Sequence, residues 1–180
     1  MAFHKPIRSS LIAILLCSCG SAFSQDKAST EQKPEWKTYY ARLDSFRSRG
    51  TAALEAELAR EKAGDCPNAQ STYEINMCLT AEMKTTQSNY EAYVRAIGGL
   101  LRAPTPSSVP ANPKDPPPDT GKELDIAEAH WAAYRKAQCS TLYDYYTGGT
   151  IRGPAYGACV QELTRRHMHE LASIYADLWH

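Results

Sequence analysis

The sequence predicts an all-α fold: a small bundle of about four helices, tied by two disulfides and interrupted by a Pro-rich linker. Three observations carry this reading. Apolar residues recur near a 3.6-residue period in long segments, and no stretch shows the strict alternation of a strand. Four cysteines, Cys66, Cys78, Cys139 and Cys159, follow an N-terminus that reads as an export signal. Seven of the eleven prolines fall in residues 104–118.

The signal comes first. Lys5 and Arg8 supply a basic start, residues 11–16 an apolar run, and residues 20–24 a small-residue exit, so residues 1–24 are set apart as a signal peptide. Cleavage after Ser24 is one exit. Cys19, within a Leu-Cys-Ser-Cys string similar to a lipobox, is the alternative, and would be acylated. Both routes leave the same four cysteines. Neither the apolar run nor any later stretch approaches the roughly 20 residues needed to cross a bilayer. The expected location is the periplasm or the medium, free or lipid-anchored to the envelope.

The mature chain is close to neutral, since loss of Lys5 and Arg8 leaves 18 basic residues against 20 acidic ones. Both signs are interspersed, so the sequence carries no basic stripe suited to nucleic acid. Cysteines separated by 12, 61 and 20 positions, with no Cys-x-x-Cys pair, read as a disulfide framework and not as a zinc site.

The first helix is predicted over residues 35–63, rich in Ala, Leu, Glu and Arg, with Gly50 as a weak point and Gly64 as a stop. Leu54 and Leu58 give only a thin apolar stripe, which fits a helix lying on the domain surface or an arm extending from it. The second helix should start at Ser71, because Ser71 and Glu74 have capping-box spacing. Ile75, Leu79, Met83, Tyr90, Tyr93, Val94, Ile97 and Leu101 then repeat at helical period, and Gly98-Gly99 should loosen the last turn. The linker occupies residues 104–120. A third helix follows from about Lys122, with Leu124, Ala127, Trp131, Tyr134 and Gln138 on one face and Gly148-Gly149 as its limit; Pro154 marks the next turn. The fourth runs over residues 156–178, its stripe made by Val160, Leu163, His167, Leu171, Ile174 and Leu178. Three units result: residues 1–24, an N-terminal helical extension over 25–64, and a helical domain over 65–180.

Four cysteines allow three pairings. The local pair Cys66–Cys78 is geometrically accessible: the rise from Ser71 to Cys78 is about 10 Å, and the five steps back to Cys66 cover up to about 17 Å when extended. Cys139 and Cys159 flank the turn between helices three and four, so their bond would close a helical hairpin. We prefer these two local bonds.

These cysteine-centred segments resemble the LprI-like lysozyme-inhibitor family. The resemblance rests on Asp65-Cys66, on residues 74–78 (Glu-Ile-Asn-Met-Cys), on residues 131–135 (Trp-Ala-Ala-Tyr-Arg) leading to Cys139, and on Gly148-Gly149-Thr150, Cys159 and Leu163-Thr164. It covers about residues 65–171 and departs from the family pattern at Ile75, Gln87, Tyr90, Glu91, Lys136 and His167. It implies a two-disulfide helical domain exported to the bacterial envelope, non-enzymatic, protein-binding, and in the member that names the family an inhibitor of lysozyme.

Several side chains are candidates for contacting a partner. Glu74 reads as a cap and Asn76 as a polar tie to the adjacent loop carrying Pro67 and Asn68. Trp131 and Tyr134 read as core, with an exposed aromatic anchor as the sharper alternative. Arg135 pairs either with a carboxylate of the fold or with an acid on a partner. Tyr143, Tyr145, Tyr146 and Tyr156 cluster at the turn braced by Cys139 and Cys159, which makes that turn the first candidate binding surface. No catalytic constellation is found. His167 and His169 sit about 200° apart on a helix and cannot share an ion, and His169-Glu170 lacks the second histidine of a metalloprotease helix because Ser173 stands there. No Gly-x-Ser-x-Gly elbow and no phosphate-cradling loop occurs. No metal or cofactor is expected. The favoured partner is a protein, such as a lysozyme-type muramidase; the competing reading is a periplasmic structural or assembly factor of the envelope that uses the first helix and the linker.

Overall fold

Helix boundaries follow from residues that close exposed backbone ends. The computed structural model describes residues 33–106, 116 and 118–180; Cys19, the signal segment and most of the Pro-rich linker lie outside them. Helix α1 spans Pro34–Ala63, with Pro34 in its first turn, where a missing N–H costs nothing. Gly64 ends it at φ 79°, a conformation an L side chain resists. Helix α2, Thr72–Leu101, opens on the predicted capping box: Ser71 Oγ accepts from the Glu74 amide, and Glu74 Oε2 accepts from the Ser71 amide at 3.0 Å. Helix α3, Thr120–Tyr145, is capped by Asp119, whose side chain accepts from the Lys122 amide. Helix α4, Arg152–Ile174, is followed by a 3₁₀ turn, Ala176–Trp179.

The four helices run up, down, up and down. Along α1 and α2, Gly50 lies beside Ala96 while Glu57 reaches Thr86 and Arg60 reaches Glu82, an antiparallel order. Helix α4 runs parallel to α2, Gly157 facing Leu79 and Gln161 facing Thr86. The core centres on Tyr93, Ile97, Leu124, Met168 and Leu171, with Ala53 from α1. Full burial of each large apolar side chain stabilises by about 1.5–3 kcal/mol. Both predicted local disulfides are present, Cys66–Cys78 and Cys139–Cys159.

Several local expectations are corrected. Gly50 is no weak point: it is buried in an unbroken helix, and a Cβ there would overlap the Trp179 ring, which stacks on Tyr93 at 5.4 Å. Gly98-Gly99 does not loosen α2, because the Phe46 ring covers Gly99 and the Arg102 side chain covers Gly98. Pro154 lies inside the first turn of α4, another position where no amide is missed. Helix α4 ends at Ile174, earlier than residue 178.

The stripe of α4 is also displaced. Gly157, Gln161, Thr164, Arg165, Met168 and Leu171 face inward, while Ile174 is 70% exposed. The inward face is largely polar because α1 supplies a buried carboxylate opposite it. Of the two placements its stripe allowed, α1 lies on the bundle and does not extend away: its inward face is Leu43, Gly50, Ala53 and Glu57.

Candidate functional site

The alternating helix directions bring the end of α1, the start of α2, the end of α3 and the start of α4 to one pole of the bundle, with both disulfides. The α1–α2 turn passes through Gly64 and then Cys66, which has φ 53°, a backbone region that non-glycine residues seldom occupy. Two features hold it there, the bond to Cys78 and an ion pair on the preceding residue. Asp65 accepts two parallel hydrogen bonds from Arg165, 2.7 and 2.9 Å, the fork geometry in which guanidinium and carboxylate bind most strongly.

Arg165 is the hub of a buried network. It also donates through Nε to Glu57 Oε1 at 2.8 Å, and Glu57 accepts from Thr86 Oγ1, Asn89 Nδ2 and Arg60 Nε. Burial opposes the charge on Glu57, yet the hydrogen bonds from Thr86, Arg165 and Asn89 outweigh it and hold the carboxyl below its ordinary value. Burial likewise opposes the charge on Arg165, and its bonds to Asp65 and Glu57 reverse that, keeping it charged more firmly than a free guanidinium. Gln161 donates to Asp65 Oδ1 at 2.9 Å and completes the support of the turn.

On the outside of this pole the predicted residues fall as follows. Glu74 is fully engaged in the cap, accepting also from the Gln70 amide at 2.8 Å, and those backbone bonds lower its pKa. Asn68 is exposed on the Cys66–Cys78 loop. Asn76 abuts the start of α4, where a Cβ at Gly153 would stand 2.6 Å from its Oδ1, so this close approach joins the two disulfide-braced turns. Tyr145 is 78% exposed and meets the half-buried Tyr146 edge-on, ring centroids 5.0 Å apart. Tyr143 and Tyr156 meet edge-on as well, and Arg152 lies 3.7 Å over Tyr143. Gly148, at φ 84°, turns the chain between α3 and α4.

Sequence reasoning passed over three further exposed side chains here, Tyr73, Met77 and Ile151, at 74, 56 and 51%. For two of them a signal was available: Tyr73 and Met77 stand four apart on α2, on the face opposite Ile75 and Leu79.

Trp131, Tyr134 and Arg135 belong elsewhere. Tyr145 lies 14 residues beyond Trp131 on α3, a rise of about 21 Å. Trp131 is half-buried, stacked on His167 at 4.1 Å and tilted against Tyr90 at 5.0 Å. Tyr134 is not core: it is 56% exposed, at the rim of a small cavity that it lines with Trp131 and with Leu163, Arg166, His167 and Glu170 of α4. Arg135 lies 4.6 Å over Trp131 and donates to neutral partners, Gln87 Oε1 at 2.9 Å and Thr164 Oγ1 at 2.7 Å. Burial lowers its pKa. No carboxylate lies within ion-pair distance of it among the described residues. Gln87, Tyr90 and His167 all touch this Trp131–Arg135 unit. His167 Nε2 meets Glu128 at 3.0 Å and His169 Nε2 meets Glu61 at 2.9 Å, so the two histidines serve separate pairs. Among the described residues no group of three or more His, Cys, Asp or Glu is placed to hold a metal.

Four cysteines in two local bonds on an all-helical bundle now meet the comparison with known families, in which the model described as lysozyme inhibitor LprI matches residues 63–171. The chain belongs to the LprI lysozyme-inhibitor family. The match takes in both disulfides, α2, α3 and almost all of α4, and leaves nearly the whole of α1 outside. Within this LprI domain the carboxylate facing Arg165 and Thr86 is therefore supplied from beyond the matched segment, by Glu57 of α1. Comparison with curated proteins and with solved structures returns no match. No helix of the described residues is long and apolar enough to cross a membrane.

Proposed function

We propose that this LprI-family chain is an exported, non-enzymatic protein that inhibits a lysozyme-type muramidase by presenting its disulfide-braced pole to the enzyme's substrate cleft. The carrying observation is the outward display of Tyr145, Tyr73, Met77 and Ile151 on two turns that are each cross-linked and joined at Asn76 and Gly153. Large amphipathic side chains on a rigid support suit an inhibitor, because little ordering entropy is lost when they enter a cleft. Asn68 and Tyr146 flank the same surface. Export to the periplasm or medium, after cleavage at Ser24 or acylation at Cys19, would bring the chain to the compartment where muramidases act and where its disulfides persist.

The test is a muramidase turnover assay with the oxidised chain from residue 25, titrated against several lysozyme types. We expect inhibition at micromolar concentration or below, weakened about tenfold or more by Tyr145→Ala, the size of a binding hot spot. Full muramidase activity for every type at micromolar protein would overturn the proposal.

A further inference from the structure

Away from the braced pole, the first half of α1 and the last half of α2 enclose a groove of about 640 Å³. Four guanidinium groups line it, those of Arg42, Arg49, Arg95 and Arg102, with no acidic side chain in the lining. The chain as a whole is near neutral, so this is a local concentration of positive charge. Arg95 and Arg102 have carboxylate partners in Glu91 and Asp125. Arg42 and Arg49 have none within 4.0 Å among the described residues; both instead lie over the same Phe46 ring, at 5.9 and 5.0 Å.

The floor is apolar, formed by that ring and by small residues of α2. Gly98-Gly99 makes the depth possible: the Phe46 ring rests on Gly99, where any Cβ would overlap it. The glycine pair thus serves the groove and not a helix end.

We propose that this groove binds the phosphate headgroups of an anionic phospholipid surface. The cationic rim answers the phosphate, and guanidinium groups are suited to bidentate phosphate contact. The apolar floor and the volume exceed what a lone phosphate fills and match a headgroup with its first methylene groups. A basic cluster is also the kind of second contact that converts the marginal hold of a single acyl chain into stable membrane association, so an acylated Cys19 and this groove would act together.

The probe is vesicle co-sedimentation with the oxidised chain from residue 25, which retains all four helices and both disulfides and carries no acyl group. Phosphatidylglycerol vesicles should retain it, phosphatidylcholine vesicles should not, and retention should fall as salt is raised. Arg42→Gln with Arg49→Gln, both exposed positions, should weaken retention at least about tenfold with an unchanged thermal midpoint. Absence of retention, equal retention on phosphatidylcholine, or retention that survives the double substitution would each overturn the proposal. So would inorganic phosphate titrating the groove as well as vesicles do at equal phosphate concentration, since free phosphate would then be the ligand.

Discussion

The two poles of the bundle are closed by different means. At the braced pole the cross-links Cys66–Cys78 and Cys139–Cys159 hold the turns, and the side chains above them, Tyr73, Tyr145 and Ile151, face solvent. At the opposite pole there is no cross-link among the described residues: Trp179 packs into the space left by Gly50, Arg47 donates to the Leu178 and His180 carbonyls, and Arg102 donates to the Gly121 carbonyl. Where side chains do the closing they are committed to the fold. Where covalent bonds and a buried ion network do it, surface aromatics are released for other contacts.

The largest effect should come from removing the hub under the braced pole. Arg165→Met strips the buried Glu57 of one of its two guanidinium partners, leaving Arg60, and leaves Asp65 without its fork; it should cost about 3 kcal/mol, the low end of the loss on breaking a buried pair, read by urea unfolding. The same network sets an acid dependence. The Glu57 carboxyl is held below the ordinary glutamate pKa in the fold, so its contribution is present above that ordinary value and is lost as pH falls through the lower folded pKa. Glu57→Gln should flatten the fall in stability on the acid side, and an unchanged pH profile would remove the network from that role.

Next in size are the disulfides. Cys139→Ser with Cys159→Ser opens a loop with a sequence separation of 20, worth about 3 kcal/mol in the chain-entropy model. The loss should appear in chemical unfolding, and muramidase inhibition should weaken beyond what the unfolded fraction explains. Inhibition that tracks the folded fraction alone would show that the brace orders nothing at the binding surface.

The smallest stability effect sharpens the contrast most. Gly50→Ala at the packed pole should cost about 1–3 kcal/mol by overpacking against Trp179, whereas Tyr145→Ala at the braced pole should stay within about 0.5 kcal/mol. Comparable thermal shifts for the two would mean that Tyr145 also serves the fold.

Much of this was legible in the residues. The capping box at Ser71 and Glu74, the stop at Gly64, the helical content and the two local cystines depend on short-range spacing, and short-range geometry is written in the chain. Glycines misled where their role was to admit a ring from another element: Gly50 read as a weak point and Gly99 as part of a loosened turn, and both are contact points. The α4 stripe misled for a related reason, since the polar Gln161 and Arg165 lie outside the apolar stripe and face inward only because Glu57 and Asp65 stand opposite them. Tyr134 shares the α4-facing side with Trp131 but stands at its rim, and how deep a residue on that side sits depends on where α4 crosses α3.

By itself the sequence determined an all-α chain with four helices, the spacing of four cysteines that favours local pairing, and its LprI kinship, all consequences of pattern along the backbone. Tertiary structure alone decided that both braced turns share one pole, that Glu57 from outside the LprI segment joins Asp65 in pairing with Arg165, and that four arginines converge on one groove. Those facts join residues from 53 to 108 positions apart, from Arg42 and Arg95 to Glu57 and Arg165. Such juxtapositions are fixed by the packing of whole helices and by no local preference of the chain.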